Sequence, residues 1–268
     1  MATVYLGQHR STGAVHALKH LHPHLASIPA IKEQFCNEAK LLDSLEHPVI
    51  PRYFGKVEDE GRLAIVMEWS TGTNLDELHE KGSLSDRSKL HHMAQAATAL
   101  AYAHARGIVH RDVKPENILI SGDETKLADF GLSLIDQNKT QSCTPQSPQG
   151  TPYFMAPEQW RVEKLNGAAD MYSVGVSLYY LLTNTFPFEG NSALDIRAKQ
   201  AFGTKVSAKT RHPLLCTQLD ELITSLLHSE ARFRPSAKEV VRALNPSLVR
   251  RRKLPKPSKN RTQYLLSR

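Results

Sequence analysis

A chain of 268 residues, 40% hydrophobic and 23% charged, carries enough apolar material for one large core or two packed ones, which excludes a wholly disordered polymer. Its net charge of +7 would invite a nucleic-acid reading, but the excess sits in Arg250, Arg251, Arg252, Lys253, Lys256, Lys259, Arg261 and Arg268; the body is close to neutral and no nucleic-acid partner is expected. The longest nearly apolar stretch, Val174–Leu182, is too short for a membrane span, and the scattered Cys36, Cys143 and Cys216 argue against a disulfide framework and for a reducing cytoplasm.

From the amino terminus, Thr3–Leu6 and Val15–Lys19 read as strands flanking the turn Arg10–Gly13. Ile31, Phe35, Ala39, Leu42 and Leu45 then recur at helical spacing up to His47–Pro48, where proline disfavours helical backbone in its predecessor. Tyr53–Val57 and Leu63–Met67 predict a second hairpin around Glu58–Gly61. Beyond Glu68 the pattern turns helical: Leu90, Met93, Ala97 and Leu100 form an apolar stripe, and Gly107 supplies the stop. Ile118–Ile120 and Lys126–Ala128 alternate as a hairpin about Ser121–Glu124. Met171–Leu182 is apolar nearly all round, as a central helix should be; Leu219, Leu222, Ile223 and Leu226 make another stripe. Ser236 with Glu239 predicts a capping box opening the last helix, and the chain past Asn245, with Pro255 and Pro257, reads as a solvated basic tail.

Two strings carry the chemistry: His110–Arg111–Asp112–Val113–Lys114–Pro115–Glu116–Asn117 and Ala128–Asp129–Phe130–Gly131. Asp112 can orient a hydroxyl and take its proton, Lys114 can sit against a transferring phosphoryl group, and Asn117 with Asp129 can hold a divalent ion on nucleotide phosphates. In these residues the chain resembles the eukaryotic-type (Hanks-type) serine/threonine protein kinases, bacterial branch, and the lysine two positions after Asp112 resembles the serine/threonine rather than the tyrosine class.

The resemblance implies an α+β, bilobal protein-kinase fold: a small, mostly β N-lobe (1–67) lacking its first strand, a larger helical C-lobe (68–245) and a basic tail (246–268). It further implies that Lys19 bridges the first phosphates of ATP while Glu38 holds it. Val4, Ala17 and Leu119 would contact the adenine ring, Met67 would guard the back of that pocket, and the main chain of Glu68, Trp69 and Ser70 would bond the base. Magnesium or manganese would accompany ATP on Asn117 and Asp129. Thr151 would bond near Asp112 and Lys114, Glu158 would be buried against Arg234, and Asp170 would brace the catalytic loop. Arg111 before the catalytic Asp implies a phosphate-switched activation segment, with Thr140, Ser142, Thr144 and Ser147 as candidate autophosphorylation sites. The expected partners are proteins offering Ser or Thr, with self-association for autophosphorylation.

His20, His22 and His24 alternate as metal ligands can, yet no acidic or Cys companion lies nearby, and a solvated loop is the reading. One departure from the family pattern stands out: Met1–Tyr5 resembles only the closing half of the glycine-rich phosphate loop, with Ala2 at the third glycine position. Either Met1 is internal to a longer product, or the chain is truncated and binds ATP weakly. The alternative to an active kinase is therefore a pseudokinase or scaffold.

Overall fold

A computed structural model of the chain describes residues 2–59, 62–132, 134–135, 151–161, 163–203 and 205–244. The candidate hydroxyls of Thr140, Ser142, Thr144 and Ser147, and the basic tail, lie outside them.

The first part is an antiparallel sheet with one helix against it. Strands β1 (Ala2–Gln8), β2 (Val15–Leu21), β3 (Tyr53–Asp59) and β4 (Arg62–Glu68) run in the order β1-β2-β4-β3. Val4 pairs with Lys19 and Leu6 with Ala17, while Lys19 pairs with Ile65 and Ala17 with Met67. Directly paired residues share a face, so Val4, Leu6, Ala17, Lys19, Ile65 and Met67 all project to one side. After the short α1 (Pro23–Ala26) comes α2 (Pro29–Asp43), begun by a proline in its first turn, where no intrahelical N–H is lost. Its buried face is Phe35, Ala39, Leu41 and Leu42, and among them stands a carboxylate, Glu38. The helix ends at Asp43 rather than running to Leu45, because Ser44 folds back onto it: the hydroxyl donates to Leu41 O at 2.6 Å and Leu45 N–H closes a shorter loop to Leu42 O.

The second part is helical around a buried spine. In chain order it holds β5 (Thr73–Asn74), α3 (Leu75–Glu80), α4 (Asp86–His104), β6 (Ile108–Val109), β7 (Ile118–Ser121), β8 (Glu124–Leu127), β9 (Leu134–Ile135), α5 (Pro157–Trp160), α6 (Gly167–Thr183), α7 (Ala193–Phe202), α8 (Ala208–Arg211), α9 (Thr217–Leu226) and α10 (Ala237–Leu244). Ser85 caps α4 by accepting Ser88 N–H at 3.2 Å, and the buried alanines Ala96, Ala97, Ala99 and Ala103 let α6 and α10 approach it closely. Helix α6 is buried almost all round, as its sequence predicts, and ends on Asn184 in the left-handed conformation at φ 56°. Gly175 is required there, since a Cβ would stand 2.7 Å from Leu226 Cβ on α9. At the head of α10, Ser236 N–H and Oγ both donate to Glu239 at 2.7 Å.

The two parts are tied beside the cleft: Leu127 N–H donates to Val49 O at 2.7 Å, and Lys126 Nζ meets Glu68 Oε2 at 2.7 Å. This is the bilobal α+β arrangement that the resemblance implies, with β1 paired only to β2 among the described residues. Helices α1, α3, α5, α7 and α8 are additions to the helices legible in the sequence. Among the described residues no helix is long and apolar enough to cross a membrane.

Candidate active site

The loop between β6 and β7 is a rigid bracket hung on Asp170. That carboxylate is fully buried (0% exposed); Oδ1 accepts Arg111 N–H at 2.7 Å, and Oδ2 accepts His110 N–H at 2.9 Å and lies 2.7 Å from His104 Nε2. Burial alone would raise this carboxyl, but His104 and the Arg111 N–H hold it below the ordinary aspartate value. Arg111 adopts φ 73°, a region that costs an L residue about 1–2 kcal/mol. Its peptide groups are pinned on both sides, the N–H by Asp170 and the carbonyl by Gln159 Nε2 at 3.0 Å.

That bracket presents Asp112. Lys114 Nζ lies 2.9 Å from Asp112 Oδ2 and donates to Thr151 Oγ1 at 2.6 Å, while Thr151 N–H and Oγ1 donate to Asp112 Oδ1 at 3.3 and 3.4 Å. Asp112, Lys114 and Thr151 therefore close a ring, which fixes the carboxylate's orientation beside a cation. Asn117 Nδ2 donates to Asp112 O at 2.8 Å and to Oδ2 at 3.2 Å.

Asp129 is placed by the neighbouring strand. Ala128 N–H donates to Asn117 O at 2.8 Å, which sets Asp129 next to Asn117. His110 assists from behind, with Nε2 3.0 Å from Ala128 O and its ring 4.5 Å from that of buried Phe130. Asp112 N–H donates to His110 Nδ1 at 3.3 Å, so the imidazole carries its proton on Nε2. Asp129 itself is left-handed at φ 61°.

Lys19 Nζ lies 2.7 Å from both Glu38 Oε1 and Asp129 Oδ1. Burial would lower the lysine, yet the two carboxylates raise it above its ordinary value and keep it charged. Burial likewise pushes Asp129 up, and the Lys19 charge and hydrogen bond override it, leaving that carboxyl below the usual range. Glu38 is pushed up by its burial against the opposing pull of Lys19.

The donor set suits a hard divalent cation. Asn117 directs its amide nitrogen to Asp112 and leaves Oδ1 open, and Asp129 engages only Oδ1, leaving Oδ2 open, among the described residues. Two oxygen ligands with waters completing the shell are what magnesium accepts. Among the described residues no group of three or more His, Cys, Asp or Glu could hold a metal ion; His22 Nε2 is 2.9 Å from Thr3 Oγ1.

Val4 and Ala17 share the Lys19 face of the sheet with Met67, and Val4 and Leu6 are 53% and 61% exposed, an uncovered apolar surface above the lysine. Glu68 would offer a base its carbonyl rather than its N–H. Its N–H is spent on Arg52 O at 2.8 Å and its carboxylate on Arg52 N–H and Lys126, so main-chain donors toward a base are left to Trp69 and Ser70. Leu119 pairs with Lys126 and Asn74 in the separate β5-β7-β8 sheet below.

Deeper in the C-lobe, Arg234 NH1 and NH2 donate to Glu158 Oε1 and Oε2 at 2.6 and 2.9 Å. The remaining guanidinium donors go to carbonyls of Ala168, His228 and Ser229, so the buried pair is fully satisfied. His104, Gln159 and Gln34 are partners that sequence reasoning missed. Each is a single polar residue on a helix, with no spacing signal, and only tertiary approach reveals it.

A family model described as the protein kinase domain matches residues 1–244. The serine/threonine-protein kinase pkn2 of Myxococcus xanthus is 33% identical over 253 residues, covering 91% of this chain and 30% of that protein. PknB of Mycobacterium tuberculosis is 33% identical over 230 residues (82% and 37%), and CBL-interacting protein kinase 11 of Oryza sativa subsp. japonica 30% over 246 residues (90% and 48%). The chain thus spans between about a third and a half of the length of these curated relatives. The chain belongs to the protein kinase domain family.

Proposed function

We propose that the chain transfers the γ-phosphoryl group of ATP to Ser or Thr hydroxyls of proteins. The observation that carries this reading is the ring of Asp112, Lys114 and Thr151 beside the Asn117–Asp129 pair, within reach of the Lys19–Glu38 ion pair. Asp112 orients the acceptor hydroxyl and takes its proton; Lys114 faces the transferring group and offsets its charge; Lys19 holds the first phosphates. Asn117 and Asp129 would hold magnesium, which neutralises charge on the phosphates when bound. The adenine would lie under Val4, Leu6 and Ala17 and over Leu119. A pseudokinase reading gains no support from the site, since no catalytic position is substituted and every one has a bonded place.

The division at 67/68, the tail beyond 245 and control by autophosphorylation of Thr140, Ser142, Thr144 or Ser147 belong to the same proposal. So does a cytoplasmic setting, which the free thiols of Cys36 and Cys216 suit. Incubation with γ-labelled ATP, magnesium and a generic basic protein, followed by phosphoamino-acid analysis, tests it. Label on Ser or Thr is expected. No transfer, or label on Tyr alone, would overturn the reading.

A further inference from the structure

Helix α2 touches the site twice. Gln34 lies four residues before Glu38, so the two side chains stand one turn apart on the same face. Glu38 takes Lys19, while Gln34 Nε2 donates to Gly131 O at 3.2 Å. Gly131 is closely fitted on its other side: a Cβ would stand 3.0 Å from Asp129 Oδ1 and 3.1 Å from both Glu38 Oε2 and Lys19 Nζ. The backbone just after Asp129 is therefore clasped between the charged triad and the Gln34 amide. Asp129 needs such a clasp, because at φ 61° it holds a conformation that L residues disfavour. Its own contact to the turn, from Gly131 N–H, is long at 3.4 Å.

We propose that Gln34 is a positioning residue for phosphoryl transfer: by fixing the Gly131 carbonyl it holds the left-handed turn at Asp129, and with it the carboxylate that would hold the divalent ion together with Asn117. Removing the amide alone should loosen the metal position and spare the Lys19–Glu38 pair.

The inference rests on the metal-assisted reading above, and its test has two readouts. Gln34→Met keeps the side-chain length and removes the donor; Glu33→Ala, at an exposed position on the same helix, is the control. In nucleotide-free protein, amide exchange at Phe130, Gly131 and Leu132 should quicken about fivefold in Gln34→Met, the weight of one hydrogen bond. By calorimetry, the Mg2+ concentration that half-saturates the enhancement of ATP binding should rise by about the same factor, with metal-free ATP affinity unchanged. Glu33→Ala should match wild type in both. The proposal is overturned if Gln34→Met behaves as wild type, or if Glu33→Ala shifts both readouts equally, which would make the effect one of helix stability. Should wild-type ATP binding show no response to Mg2+, the metal reading falls, and the exchange comparison still decides whether Gln34 holds the turn.

Discussion

Asp170→Asn isolates the bracket that presents the catalytic loop. The carboxylate receives three groups, the His110 and Arg111 N–H on separate oxygens and His104 Nε2. An amide has one acceptor oxygen, so whichever way the substituted side chain turned, its NH2 would face at least one of the two loop N–H groups. A buried donor left without an acceptor costs about 1–3 kcal/mol. Arg111, at φ 73°, would lose one of the bonds that hold it; if the loop then leaves its present path, the release of about 1–2 kcal/mol of strain offsets part of that cost. The net cost, about 1–3 kcal/mol and reduced by any strain released, is a substantial share of the 5–15 kcal/mol typical of a domain. At about 2–4 °C per kcal/mol the melting temperature should fall roughly 2–12 °C. If the loop relaxes by about 1 Å at Asp112, kcat should fall on the order of 100-fold. Affinity for MgATP should stay near wild type, because Lys19, Glu38 and Asp129 do not touch Asp170. Scanning calorimetry and steady-state kinetics on the one variant suffice. An Asp170→Asn protein that melts within about 1 °C of wild type and keeps its kcat would show that the carboxylate does not hold the loop.

Other perturbations test separate contacts. Arg234→Met strands the buried Glu158 carboxylate and should cost about 3–5 kcal/mol in urea denaturation, whereas adding Glu158→Gln should restore part of the loss; an unchanged midpoint in the single variant would speak against the pairing. Asp129 and Asp170 have carboxyls held below the ordinary aspartate value of about 3.9, so their contribution is fully present above that value and is lost as pH falls through their lower folded values. Denaturation midpoints from pH 6 to 3 should decline, and Lys19→Met, which removes the Asp129 partner, should flatten part of that decline; superimposable curves would be the contrary result. Lys19 shifts the other way: its raised value adds stability below its unfolded value of 10.5 that is lost as pH rises through the folded one.

What was legible in the chain follows from the range of the signal. Alternation over a few residues announces β1 to β4, and the all-round apolar run of Met171–Leu182 announces a buried α6, since both patterns are local. The strings around Asp112 and Asp129 are legible because loop geometry fixes their spacing. Helices α7 and α8 are short and mostly exposed, so no apolar stripe marks them. The end of α2 at Asp43 turns on one serine hydroxyl rather than on the proline at 48. His104, Gln34 and Gln159 are silent in sequence because their partners, Asp170, Gly131 and Arg111, lie 48 to 97 residues away. The spent N–H of Glu68 is silent for a different reason: it depends on how β3 enters the sheet beside β4.

In the proposed reaction, nucleotide holding and phosphoryl transfer fall to different side chains of the site. MgATP titration paired with a single-turnover transfer assay on Asp112→Asn separates the two. Nucleotide affinity should stay near wild type while transfer drops by about 100-fold or more, up to the range of a positioned acid–base group. Transfer at the wild-type rate in Asp112→Asn would mean that this carboxylate does not serve the reacting hydroxyl.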